Sequence, residues 1–127
     1  HKDRRKKQPW QDVEATINLP SAISELSKKQ KVILVDCLSL WLTNLMMNGR
    51  NIDKDIKKFV NELEKSPSDI ILISSEVGLG IVPDNEMSRI FRDHLGLLHQ
   101  KVAAISETVI MMVAGIPMVV KGQNELS

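Results

Sequence analysis

The 127 residues contain a single cysteine, Cys37, so no disulfide can close within the chain. That usage suits a reducing compartment, and a cytoplasmic location is expected. Aromatic residues make up only 3%, so aliphatic side chains must fill the core. No apolar stretch is long enough to span a bilayer. No G-x-x-x-x-G-K-S/T loop occurs anywhere, and taken alone that absence argues against nucleotide binding. His94 and His99 stand at no metal-ligand spacing from another histidine or from the cysteine, which argues against a zinc site.

What is present fits one modest globular domain spanning residues 1–127. The composition is 43% hydrophobic and 26% charged. The net charge of +1 is unevenly spread. Five of the 17 basic residues (Lys2, Arg4, Arg5, Lys6 and Lys7) lie in the first seven positions, opposed only by Asp3. The other 120 residues carry 12 basic and 15 acidic side chains. The basic run reads either as a solvated terminus or as a phosphate-binding edge, on a small molecule or a nucleic acid. No aromatics interleave with it, so base stacking has little support.

The chain alternates strand and helix signals. Residues 10–17 suggest a short edge strand. Pro20 or Ser21 opens a helix reaching about residue 29. Val32-Ile33-Leu34-Val35 is an apolar strand ending at Asp36, continuous enough to be buried on both faces. Leu38, Trp41, Leu42 and Leu45 recur at helical spacing and read as core. Asn48-Gly49-Arg50-Asn51 breaks that helix. Ile52, Ile56, Phe59, Val60 and Leu63 make a second amphipathic helix, closed by Ser66-Pro67-Ser68. A strand over residues 70–73 follows. A long helix over residues 85–105 presents Met87, Ile90, Phe91, Leu98, Val102 and Ile105, with Asp84 as candidate cap. Residues 108–113 read as a further buried strand, after which Gly115-Ile116-Pro117 turns the chain. This order predicts a parallel α/β sheet with right-handed crossovers.

Ligands of open α/β sheets bind at the carboxyl edge of the strands. Two acids end strands there. Asp36 is placed as a Mg²⁺-holding acid would be, and equally as a cap for the next helix. Ser39 and Thr43 are further polar groups on that helix's first turn. Glu76 stands in Ser75-Glu76-Val77-Gly78-Leu79-Gly80-Ile81-Val82-Pro83-Asp84-Asn85. Its glycines permit positive φ or close approach to a ligand, and a plain turn explains them equally well. His1, beside Lys2, Arg4 and Arg5, has the chemistry of a nucleophile toward phosphorus with cations at hand. Cys37 reads as a small buried hydrophobe.

These residues together resemble the bifunctional adenosylcobinamide kinase / adenosylcobinamide-phosphate guanylyltransferase family. The likeness is carried by the segment from Val32 through Asp36, Trp41 and Thr43 to Leu45, and most specifically by the Ser75-to-Asn85 loop. Arg89, Phe91, Arg92, Asp93, Gly96 and Gln100 continue it, and His1-Lys2-Asp3-Arg4-Arg5 and Trp10 fit its start. The resemblance implies a three-layer RecA-like P-loop NTPase fold with a mostly parallel sheet. It implies phosphorylation of adenosylcobinamide by GTP or ATP, then GMP transfer from GTP to the resulting phosphate through a guanylylated histidine. By the same resemblance His1 and Glu76 are the catalytic residues, Lys2, Arg4 and Arg5 bind phosphate, and Asp36 holds Mg²⁺. A homotrimer without nucleic-acid partners is implied as well. Family members carry a strand and a glycine-rich phosphate loop ahead of the histidine segment. The chain is therefore expected to lack the N-terminal P-loop strand and helix, and to be inactive as a fragment. Two other readings stay open: a different RecA-like NTPase using Asp36 and Glu76, and a non-enzymatic α/β module binding nucleic acid through its basic N-terminus.

Overall fold

The computed structural model describes residues 2–123. The elements run α1 (Lys2–Arg5), α2 (Leu19–Leu26), β1 (Val32–Asp36), α3 (Leu38–Met47), α4 (Ile52–Lys65), β2 (Asp69–Ile73), α5 (Glu86–Ile105), β3 (Val109–Val113) and β4 (Ile116–Lys121).

β1 and β2 form a parallel pair in register from Val32↔Asp69 to Asp36↔Ile73, with α3 and α4 as the connection. Parallel neighbours require such a crossover, because the chain must return to the same end before the second strand starts. The pair is extended by one bond, from the Asp69 N–H to the Lys31 carbonyl at 2.9 Å. Ser68 then fastens the start of β2 to the end of the preceding α2 region, its hydroxyl donating to the carbonyls of Ser27 and Gln30.

The core lies on one side of this pair. Ile33 and Val35 of β1 meet Leu38, Trp41, Leu42 and Leu45 of α3, Ile56 and Phe59 of α4, and Leu95, Leu98 and Val102 of α5. The aliphatic spacing read from the sequence supplies nearly all of it. The few aromatics are used at its centre: Trp41 and Phe59 lie with ring centroids 5.0 Å apart at 50°. The Trp41 indole N–H donates to the Ile17 carbonyl at 2.9 Å, which satisfies its polar end and pins the chain entering α2. One buried charge, Asp55, accepts two hydrogen bonds from Arg50, at 2.9 and 3.0 Å. That fork makes the turn before α4 a clamp as well as a break.

Several expectations are corrected. Residues 10–17 form no strand. Their alternation is interrupted at Asp12, and they face β1 across a groove without joining its hydrogen-bond ladder. β1 is buried on one face only, with Val32 and Leu34 exposed. The long helix is capped by Asn85, whose side chain accepts from the Ser88 N–H at 2.8 Å, not by Asp84. Met87, Ile90 and Ile105 of that helix face outward, while Leu95 joins the core. The third strand is half open, with Met112 and Val113 exposed.

After Val113 the chain does more than turn. Ala114 and Gly115 both have positive φ, 52° and 75°, and join β3 to β4 as a two-residue antiparallel hairpin. Positive φ at both central positions is what a type I′ turn needs, and glycine accepts it freely. Lys121 at the far end of β4 donates to the carbonyls of Ala103 and Ala104 at 2.8 and 3.1 Å, closing the C-terminal turn of α5. Among the described residues β3–β4 does not hydrogen-bond to β1–β2.

Phe59 is fully buried and touches Trp41, so its truncation leaves a cavity. Phe59→Ala is expected to lower unfolding stability by about 3–5 kcal/mol in chemical denaturation, and Phe59→Leu by clearly less.

Candidate active site

The parallel register decides where the two strand-end acids stand. Asp36 is paired with Ile73, and Ser74 to Glu76 continue beyond it, so Asp36 and the Glu76 loop leave the same carboxyl edge. Asp36 is exposed, and among the described residues its carboxylate has no hydrogen-bond or ion-pair partner. It does not cap α3. The N-cap is Cys37, which makes no side-chain cap bond. A groove of ≈ 910 Å³ between residues 9–16 and β1 reaches this end, with Trp10, Val32, Leu34, Asp36 and Leu40 on its wall.

The other polar groups of that turn serve the helix and one another. Thr43 donates to the Ser39 carbonyl at 3.0 Å. Cys37 is only partly buried, its Sγ 3.2 Å from the Ser39 hydroxyl, so it is not the enclosed hydrophobe expected.

Glu76 is held from two sides. Its Oε1 accepts the Gly78 backbone N–H. A β-carbon at Gly78 would lie 2.9 Å from that same oxygen, so the glycine is required for close approach to the carboxylate. Neither Gly78 nor Gly80 has positive φ. On the other side, Oε2 is 3.8 Å from His99 Nδ1, and His99 Nε2 is 2.6 Å from the Ser74 hydroxyl. Burial lowers the pKa of His99, opposed by the smaller raising effect of the Glu76 charge. The loop is tied back to α5 by Arg89, which donates to the Pro83 carbonyl at 3.0 Å.

Ser74 and His99 were not singled out by the sequence. They lie 25 positions apart, and only the packing of α5 over the end of β2 brings them together. A short polar run at a strand end, facing a helix with one histidine off its apolar stripe, was the available signal.

The basic terminus is less informative. His1 lies outside the described residues. Lys2, Arg4 and Arg5 fall in the short α1, in which Arg4 is exposed. Next to it Lys6 pairs with Asp3 at 3.0 Å.

Mg²⁺ can be tested against the donor set. Among the described residues no group of three or more His, Cys, Asp or Glu side chains converges as a cage. Mg²⁺ bound with a nucleotide needs none, because it takes one or two carboxylates and fills the remaining positions with water and phosphate oxygens. An open, unpartnered Asp36 at the sheet edge fits that mode.

Residues 1–120 match the profile of the family described as cobinamide kinase / cobinamide phosphate guanyltransferase. The chain is 39% identical over 116 residues to the bifunctional adenosylcobalamin biosynthesis protein CobP of Pseudomonas aeruginosa, covering 90% of this chain and 67% of that protein. It is 31% identical to the bifunctional adenosylcobalamin biosynthesis protein CobU of Salmonella typhimurium, covering 95% and 75% respectively. The protein of the same name from Escherichia coli is 26% identical with the same coverage.

The Gly78 geometry yields a local prediction. In Gly78→Ala the new methyl pushes the flexible end of Glu76 away, so the loop loses one hydrogen bond while the core is untouched. Unfolding stability should change by no more than about 1 kcal/mol. The position-78 amide proton should move upfield in the NMR spectrum, as the Gly78 amide does in Glu76→Gln.

Proposed function

Because this chain belongs to the cobinamide kinase / cobinamide phosphate guanyltransferase family, we propose that it performs both of those reactions in cobalamin biosynthesis. Its α/β architecture, with a parallel strand pair under helices, is that of the RecA-like P-loop class to which the family belongs. The observation that carries the reading is the match over residues 1–120 together with Asp36 and the Glu76 loop leaving one carboxyl edge. That match favours a transferase over a nucleic-acid module or an unrelated NTPase. We read residues 1–127 as one α/β transferase domain.

In the first reaction the aminopropanol hydroxyl of adenosylcobinamide attacks the terminal phosphorus of GTP or ATP. The new oxygen–phosphorus bond forms, the bond from that phosphorus to the β,γ-bridging oxygen breaks, and GDP or ADP leaves. Glu76, held by the Gly78 N–H, accepts the hydroxyl proton. Asp36 would hold Mg²⁺, which supplies neutralisation of phosphate charge when bound. In the second reaction a neutral His1 imidazole nitrogen attacks the α-phosphorus of GTP. A nitrogen–phosphorus bond forms, the bond to the β-phosphate oxygen breaks, and pyrophosphate leaves. A phosphate oxygen of adenosylcobinamide phosphate then displaces the histidine and takes the GMP. Lys2, Arg4 and Arg5 stabilise the charge that builds on the transferred phosphate.

The surface supports assembly and a location in water. Leu79, Ile81, Met87 and Ile116 are exposed at 77, 98, 72 and 68%. Large apolar side chains left exposed in this number suit association with further copies of the chain, and we propose a homotrimer. No helix among the described residues is long and apolar enough to cross a membrane. A cytoplasmic location fits the reduced Cys37.

Incubation of the complete reading frame with α-labelled GTP and Mg²⁺ should give a protein–GMP adduct that is acid-labile and alkali-stable, and His1→Ala should abolish it. A wild-type protein that forms no adduct would refute the guanylyl-transfer reading. Residues 1–127 expressed alone contain no glycine-rich phosphate loop and should form no stable adduct. Asp36→Asn should reduce kinase turnover by roughly 10²–10³-fold, with the deficit smaller at high Mg²⁺ concentration.

A further inference from the structure

We propose that His99 is a positioning residue for Glu76: held by Ser74, its neutral imidazole turns Nδ1–H toward the carboxylate and fixes it in one orientation. The inference rests on the catalytic reading of Glu76 and extends it to a residue that neither the family match nor the relatives' names assign.

The argument begins with the helix. Leu95, Leu98 and Val102 bury α5 against the core, so the backbone that carries His99 does not drift. Ser74, one residue past the end of β2, stands 2.6 Å from Nε2. A hydroxyl hydrogen bond of that length locks the ring's rotation. Two tautomers are available, and the surroundings select between them. A carboxylate oxygen can only accept, so the nitrogen facing it is favoured as the N–H. Nδ1 faces Glu76, therefore Nδ1 carries the proton, and Nε2 accepts from the Ser74 hydroxyl. Burial lowers the imidazole's pKa, which keeps this neutral form dominant near pH 7 and above. Among the described residues, Glu76 is the charged group acting on the ring.

Glu76 then has both oxygens addressed by different elements. Oε1 is bound by the Gly78 N–H of its own loop, and Oε2 faces Nδ1 of α5 at 3.8 Å. That separation is longer than a hydrogen bond, so the contact is electrostatic orientation rather than capture. It leaves Oε2 with lone pairs free for an incoming hydroxyl. A half-exposed glutamate otherwise samples many rotamers, and holding it near one geometry is worth much in rate, because a misplacement of about 1 Å can cost 10²-fold.

Two measurements on the complete reading frame test this. The first is side-chain ¹⁵N NMR of histidine-labelled protein, with His99 identified by its loss in His99→Gln. The expected result at pH 8 is the Nδ1–H tautomer, an Nε2 shift that changes in Ser74→Ala, and a titration midpoint that falls further in Glu76→Gln. An Nε2–H tautomer, or a midpoint indifferent to Glu76→Gln, overturns the proposal. The second is steady-state kinase kinetics. His99→Ala should lower kcat by roughly 10- to 100-fold with little change in KM for the triphosphate. His99→Asn, whose amide N–H stands close to where Nδ1–H does, should recover most of the loss. If Glu76→Gln is impaired but His99→Ala is not, the positioning role is wrong and the Glu76 reading survives. If Glu76→Gln is itself fully active, the catalytic reading of Glu76 is the part that has failed, and the role of His99 falls with it.

Discussion

The parallel pairing of β1 with β2 is the constraint on which the rest of the structure depends. Its register sets Asp36 beside Ile73, so two segments more than thirty residues apart end at one edge. A shift of one residue would turn Ile33 and Val35 away from the helices and replace them with Val32 and Leu34. The register is therefore held by the same burial that builds the core. Roughly 1.5–3 kcal/mol of transfer free energy accompanies each fully buried Leu, Ile or Phe, and α3, α4 and α5 together supply many. The positions of the edge acids are thus set by core packing on the opposite side of the same strands.

From that edge the order is relayed outward. β2 delivers Ser74, and the loop delivers Glu76 and Gly78. Asn85 caps α5, and Arg89 reaches back from α5 to the Pro83 carbonyl. The loop is thus tied at its strand end through Ser74 and His99 and at its helix end through Asn85 and Arg89. Its middle, Leu79 to Val82, is exposed and carries no such ties. A rigid base with an open, apolar tip suits a loop that holds one carboxylate still while offering surface to a neighbouring molecule.

Periodicity made much of this legible in advance. The α3 stripe of Leu38, Trp41, Leu42 and Leu45 is wholly buried, as the spacing required. β1, α4, β2 and α5 fall within a few residues of their expected bounds. The failures share a cause: each depends on what lies across from the element. Residues 10–17 were read as a strand from local alternation, but a strand exists only with a hydrogen-bonding neighbour. β1 was read as covered on both faces from its apolar run, while Val32 and Leu34 stay partly exposed on the wall of the groove facing residues 9–16. The β3–β4 hairpin hid because Pro117 sits in its second strand, tolerated at a sheet edge where its missing N–H is not needed. The Ser74–His99 contact joins positions 25 apart, so the polar run after β2 and the histidine of α5 hinted at it only separately. Within the site, the acids at strand ends were visible because a strand's end is a local feature. The histidine that orients one of them was not.

The chain's carboxylates show why those two acids stand apart. Asp55 is 5% exposed, and both its oxygens are taken by the Arg50 fork. The first cause raising the Arg50 pKa is that same hydrogen bond. Such a pair leaves no lone pair on offer, and an incoming ligand would have to break it and strand a buried charge. Asp36 lies at the opposite extreme, exposed and without a partner among the described residues, so its oxygens stand open to a cation. Glu76 lies between them. One oxygen is fixed by a backbone N–H, and the other is oriented by His99 but not consumed. The proposed role of Glu76 as proton acceptor calls for that intermediate condition, with one oxygen held in place and the other left open to an incoming hydroxyl. The fold supplies it by placing a glycine on one side of Glu76 and an imidazole on the other.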